Sequence, residues 1–274
     1  VDLIFGANID PAHADPAGTS RLASRIDQAG LDLITIQDHP YRPAYHDTWT
    51  LLTYLAARTQ RVAFVPTVAN LPLRPPAMLA KAAASLDSLT GGRLRLGLGA
   101  GAFWDDIVSM GGPRRSPGEA VDALSDAIDL IRSLWTSPAF GPTPSRDLEI
   151  WLGANGPRML DLVGTKADGW QPSLLHMGLD RLPAASARID AAATLAGRSP
   201  GSIRKVYNLA GTIGSPSAQP FHGSVRQWVD QIVELVGKCG MNGFVFWPQE
   251  DHHRQIDVFA AEVVPAVTAS IKED

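Results

Sequence analysis

The chain has 274 residues, 45% of them hydrophobic and 19% charged, so it can bury a large core and lacks the composition of a disordered protein. A formal net charge of −4, with Lys and Arg scattered rather than clustered, gives no footprint for nucleic acid or an anionic membrane and leaves small molecules as the expected partners. The single cysteine, Cys239, excludes an intramolecular disulfide, and no apolar stretch approaches the roughly 20 residues that span a bilayer; the chain reads as cytoplasmic.

Short β-rich runs alternate with longer helical patterns from one end to the other, which predicts a parallel sheet. The predicted strands are residues 3–9, 31–38, 62–68, 94–100, 150–155, 169–173, 206–213 and 243–247. Eight strands, each followed by a segment able to form a helix, are what a closed (β/α)8 TIM barrel requires, and the length suits a single domain over 1–274. In such a barrel the chemistry sits where strands end and loops begin, so the residues just after each apolar run carry the information.

The second strand runs into Asp38-His39-Pro40-Tyr41, which places an acid and an imidazole at the barrel mouth. His39 can move a proton near neutral pH or hold a polar substrate atom, and with Asp38 beside it forms the candidate catalytic pair; a strand-end histidine that only hydrogen-bonds a loop is the bland alternative. The third strand ends in Pro66-Thr67-Val68-Ala69-Asn70, small and polar residues against which a flat ring can lie, with prolines stiffening the exit. After the fourth strand, Gly97, Gly99 and Gly101 permit close backbone approach, but the third glycine and the acidic residue of a dinucleotide fingerprint are missing. Ser116, Pro117 and Glu119 then form a capping box for a helix whose stripe of Val121, Leu124, Ile128, Ile131 and Trp135 reads as packing. The Pro- and Gly-containing stretch 137–146 reads as an irregular loop. Gly153-Ala154-Asn155-Gly156-Pro157-Arg158 follows the fifth strand as a strand-to-helix junction whose free N–H groups favour an anion, with Arg158 adding charge; a phosphate site is favoured over a plain tight turn. Ser224 and Gln227 open a last well-marked helix, in which Trp228 is a packing residue.

Taken together, Ile36-Gln37-Asp38-His39-Pro40, the run from Ala84 to Arg93 leading into Gly97-Leu98-Gly99-Ala100-Gly101, and Trp151-Leu152-Gly153-Ala154-Asn155-Gly156-Pro157-Arg158 resemble the luciferase-like monooxygenase superfamily of flavin-dependent barrels, its deazaflavin-dependent members included. Ala167-Asp168-Gly169-Trp170 and Gly243-Phe244-Val245-Phe246-Trp247 extend the likeness over nearly the whole chain. The resemblance implies a bacterial-luciferase-like barrel with reduced insertions that binds coenzyme F420 or FMN in its mouth. The ring would lie near His39, over Thr67, Val68 and Asn70 and beside Gly99, Ala100 and Gly101, with the phosphate near Gly153, Ala154, Asn155, Gly156, Pro157 and Arg158. It also marks Thr67–Val68 as a cis peptide and the homodimer as a possible assembly. Family members that act on sugar phosphates have a Trp where Pro43 stands and a Glu where Ala102 stands, so that substrate is not implied.

The Asp-His pair tilts the expectation toward F420 and hydride transfer to or from a small organic substrate. The alternative on the same fold is an FMN-dependent monooxygenase or reductase. Two remoter readings are a non-catalytic flavin-binding protein and a metal-dependent hydrolase using Asp38 and His39 with His176 or His252, whose spacing meets no metal motif; no metal is expected.

Overall fold

The computed structural model describes residues 2–273, so positions 1 and 274 of the expected domain lie outside the described residues. Five parallel strands make the first part of a wall: β1 (Ile4–Asn8), β2 (Leu33–Ile36) and β3 (Ala63–Pro66), with β10 (Gly243–Pro248) and β8 (Arg204–Ile213) on the far side of β1. The wall continues through β7 (Gly169–Trp170), β6 (Ile150–Leu152), β5 (Leu96–Gly99) and β4 (Ala69–Asn70), giving the order β3-β2-β1-β10-β8-β7-β6-β5-β4. It closes on itself where Phe64 pairs with Leu94 and the Phe64 N–H and C=O bond Arg93 O and Arg95 N. The expected barrel is therefore present, with its third position shared by two strands.

That division has a visible cause. The predicted strand 62–68 pairs with β2 as far as Pro66, and the next residues pair instead with β5 through Ala69–Leu98 and Asn70–Gly99. The chain changes partner across Thr67–Val68, whose peptide bond is cis, as the resemblance implies. Elsewhere the predicted strands are trimmed: 31–38 becomes four residues, and 169–173 becomes two plus a Ser173–Asn208 bridge. The seventh predicted strand starts two residues earlier, at Arg204, and carries a short parallel neighbour not predicted, β9 (His222–Gly223).

Helices α1 (Pro16–Gln28), α2 (Thr48–Ala56), α3 (Pro76–Thr90), α5 (Pro117–Thr136), α6 (Pro157–Lys166), α7 (Leu182–Leu195) and α8 (Val225–Cys239) surround the wall, a short α4 (Trp104–Ser109) follows β5, and α9 (His252–Val258) and α10 (Val264–Glu273) follow β10. Both predicted capping boxes are formed, at Ser116–Glu119 and Ser224–Gln227, and each cap is worth about 1 kcal/mol. Gly240 ends α8 in the left-handed region at φ 63°, which a Cβ would strain. Asp27 ties α1 to the barrel by accepting the N–H groups of Gln60, Arg61 and Val62.

Strand alternation sorts the core into two layers. Outward residues such as Phe64, Leu96, Ile150 and Phe246 pack under the helices, where Trp228 is fully buried edge-on to Phe221 at 5.1 Å and Phe246 at 4.8 Å. Inward residues Leu33, Val65, Trp151, Val206 and Val245 fill the barrel itself. This plug makes the barrel a packed core rather than a pore, with a cleft at its C-terminal mouth.

Candidate active site

Two residues above the plug, the alternation brings a new set inward. Gly99 follows Gly97 on β5, Gly153 follows Trp151 on β6, Asn208 follows Val206 on β8, and Trp247 follows Val245 on β10. They line one cleft of about 410 Å³, the size of a small-molecule or cofactor site. Thr67, Val68, Asn70, Gly99, Ala100, Gly101, Gly153, Ala154, Asn155 and Gly156, all expected at the site, line it together with Asp38 and His39.

The glycines make its floor. A Cβ on Gly99 would stand 2.5 Å from Val68 Cγ2, and one on Gly153 would stand 3.2 Å from the same atom. Val68 therefore lies flat across two strands only because both positions lack a side chain, which leaves an apolar shelf open to the cleft. Next to the shelf, α6 begins at Gly156 with no side chain capping it, so its first N–H groups are available to an anion.

Asp38 is not free at the mouth. Its buried carboxylate takes Arg74 Nε at 2.6 Å, Arg74 Nη2 at 2.7 Å and the Asn70 N–H at 2.9 Å. Arg74 also reaches Asp47, the cap of α2, at 2.6 Å. Burial works against the guanidinium charge, but the bonds and charges of Asp38 and Asp47 outweigh it and push the Arg74 pKa up. The network fixes Asn70 and the start of the loop after β4.

His39 is placed differently. Its Nδ1 lies 2.7 Å from the Tyr41 hydroxyl, and its Nε2 has no hydrogen-bond partner among the described residues. The ring of Phe103, at the head of α4, stands edge-on to it at 5.6 Å. Burial chiefly, with help from the charge of Arg42 and against the pull of Asp38, holds the imidazole pKa below its ordinary 6.5, which favours the neutral ring. Burial, reinforced by Asp106 and partly countered by Arg42, pushes the Tyr41 phenol up to about 12, so it keeps its proton. A phenol that stays protonated can donate to Nδ1, which would put the imidazole proton on Nε2, toward the cleft.

The opposite wall was not anticipated. Gln171, Asn208 and Trp247 line the cleft from β7, β8 and β10, and Gln171 Oε1 and Nε2, Asn208 Oδ1 and Trp247 Nε1 are all buried without a partner, as is Asn70 Oδ1 across from them. Asn208 could have been found, since it is the one amide in the inward register Val206, Asn208, Ala210 and Thr212; Gln171 gives no comparable signal because its strand is two residues long. Orphaned polar atoms at this density indicate a ligand to satisfy them.

Pro157 and Arg158 do not line the cleft. At the second position of α6 the Arg158 side chain leans back over α5 and bonds Asp122 Oδ1 at 2.7 Å, half exposed, so the charge expected beside a phosphate is paired on the outer flank. His176 lines the cleft, whereas His252 begins α9, and no group of three metal-ligating side chains comes together among the described residues. No helix of the described residues is long and apolar enough to cross a membrane.

The fit to a flat, polar-edged, phosphate-bearing cofactor rests on a shelf that a Cβ would fill, the buried and unpartnered Asn70 Oδ1, and an uncapped helix start. Comparison with known proteins agrees with it. The sequence profile of luciferase-like monooxygenases matches residues 4–242. The chain is 31% identical over 230 residues to a phthiodiolone/phenolphthiodiolone dimycocerosates ketoreductase of Mycobacterium sp. (strain JLS), covering 74% of this chain and 56% of the relative. It is 31% identical over 175 residues to an F420-dependent glucose-6-phosphate dehydrogenase of Kribbella flavida, covering 57% and 52%. The match thus spans little more than half of either relative. Among solved structures, an F420-dependent secondary alcohol dehydrogenase in complex with an F420-acetone adduct superposes with a TM-score of 0.82 at 18% identity, covering 97% of this chain and 99% of that one, which establishes the shared fold.

Proposed function

Because the chain belongs to the luciferase-like monooxygenase family, we propose that it is a coenzyme F420-dependent oxidoreductase that moves a hydride between that cofactor and a small organic substrate. The observation that carries the reading is His39 lining, together with the Val68 shelf, one glycine-floored cleft, its Nδ1 engaged by Tyr41 and its Nε2 without a partner among the described residues. Val68, Gly99 and Gly153 would hold the ring system, Asn70 its polar edge, and the N–H groups at the start of α6 its phosphate. Bound there, a deazaflavin supplies a two-electron hydride carrier that does not readily activate oxygen.

The chain's own groups do the rest. Tyr41 keeps the His39 ring oriented, and His39 Nε2–H would donate a hydrogen bond to a substrate carbonyl oxygen and polarise it toward hydride addition, the proton that completes the alcohol being drawn from water. Asp38 is a positioning residue, acting through Arg74 and the Asn70 backbone. Phe103 and Leu175, both exposed at the mouth, form an apolar rim that limits water access. F420 is favoured over FMN by the Asp38-His39 pair and by the F420-dependent proteins the chain is similar to. Turnover of reduced F420 under nitrogen and under air tests this: equal rates with no oxygen consumed fit the proposal, and substrate oxygenation with reduced FMN instead would establish the monooxygenase reading.

A further inference from the structure

The wall of Gln171, Asn208 and Trp247 says what kind of molecule faces His39. In the order β2-β1-β10-β8-β7-β6-β5-β4 these residues stand on β10, β8 and β7, between His39 at the end of β2 and the glycine shelf on β5 and β6. A ring on the shelf would have the wall and His39 on its open side. Gln171 and Asn208 are each 3% exposed, and Gln171 lacks a partner for both its oxygen and its nitrogen. The wall therefore offers two acceptors, Gln171 Oε1 and Asn208 Oδ1, and two donors, Gln171 Nε2 and Trp247 Nε1.

Charge is missing from it. No Lys, Arg or Glu side chain lines the cleft among the described residues, and the carboxylate that does, Asp38, is spent on Arg74. A phosphate or carboxylate group set against this wall, away from the N–H groups at the start of α6, would leave its hydration behind and meet no countercharge, which costs far more than neutral amides can return. A neutral molecule with neighbouring donor and acceptor atoms meets the amide of Gln171 edge to edge.

We propose that Gln171, Asn208 and Trp247 form the substrate-reading wall of the cleft, selective for an uncharged compound that presents an adjoining hydrogen-bond donor and acceptor, of the carboxamide or hydroxy-carbonyl kind, and closed to anions. The assignment rests on the oxidoreductase reading only for the word substrate; the wall itself belongs to the chain.

Four probes that share one ring test it: cyclohexanecarboxamide, 2-hydroxycyclohexanone, cyclohexanecarboxylate and cyclohexyl phosphate, titrated by ligand-observed NMR into cofactor-free protein in saturating inorganic phosphate, which occupies the anion site at the start of α6. Both neutral probes should bind at millimolar concentration, and both anions should bind about tenfold more weakly or worse, a gap of about 1.4 kcal/mol. Gln171→Met and Asn208→Leu should each weaken the neutral probes about tenfold and leave F420 affinity within about twofold, since each removes a group worth one hydrogen bond to the ligand. They should also raise the melting temperature of the cofactor-free protein, because each removes an unpaired buried amide. Anions bound as tightly as the neutral pair, no binding of the neutral pair, neutral binding untouched by both variants, or F420 affinity falling along with it would each overturn the proposal. Neutral-probe selectivity in a protein that binds neither F420 nor FMN would instead retire the oxidoreductase reading and leave the wall standing.

Discussion

Replacing Tyr41 with phenylalanine isolates the one hydrogen bond that decides what His39 can do. The hydroxyl lies 2.7 Å from Nδ1 and the phenol pKa is pushed up to about 12, so the tyrosine keeps a proton that it can donate to that nitrogen. Such a bond forms only with a neutral imidazole, and it therefore adds to the burial that lowers the His39 pKa. A bond between neutral groups is worth about 0.5–1.5 kcal/mol net, so Tyr41→Phe should raise the His39 pKa by an amount of that order. Turnover should fall about two- to tenfold as the ring loses its fixed tautomer, with KM less affected. The linkage sign follows. With a folded-state pKa below the ordinary 6.5, His39 binds fewer protons folded than unfolded, so the fold loses stability as pH falls from 6.5 through the lower value. In the variant that loss should shrink. Histidine NMR titration of the cofactor-free protein reads the pKa and the tautomer directly. A pKa that falls would mean that Nδ1–H donates to the tyrosine oxygen and that Nε2 is a bare acceptor, which refutes the proton assignment; an unmoved pKa would mean that the two groups do not interact.

Gly99→Ala places a Cβ 2.5 Å from Val68 Cγ2, so it should cost about 1–3 kcal/mol in denaturant unfolding and weaken cofactor binding about tenfold or more by lifting the shelf. Asp38→Ala strips a buried partner from Arg74 and should destabilise by about 3–5 kcal/mol by the same measurement, with activity falling in step with the folded fraction; a fully stable but inactive protein would instead make Asp38 catalytic. Arg158→Ala should change cofactor affinity by less than about threefold, because the side chain is exposed and paired with Asp122, a contact worth about 1 kcal/mol at most, whereas removing the cofactor phosphate should weaken binding strongly in both proteins.

The barrel was legible because its signals are local and repeated: apolar runs at strand length, each followed by a helical stripe, with capping boxes at Ser116 and Ser224. Most of the cleft was legible for a related reason, since residues just after the strands must ring the mouth. What escaped is what depends on distant contacts. Arg158 reads as a phosphate ligand until its rotamer over α5 and the partner Asp122, 36 residues away, are known. Asp38 reads as a free acid until Arg74 folds back onto it across a sequence separation of the same length. Gln171 and Trp247 become site residues only through the inward register of strands β7 and β10, which a two-residue strand and an apolar run do not announce.

The central claim is that this cleft takes a deazaflavin in preference to a flavin. Titrating cofactor-free protein with F420 and, separately, with FMN, and following fluorescence to saturation, tests it most directly. The account predicts F420 binding at least about tenfold tighter than FMN, a difference of about 1.4 kcal/mol. FMN binding as tightly as F420, or saturation by neither, would contradict it.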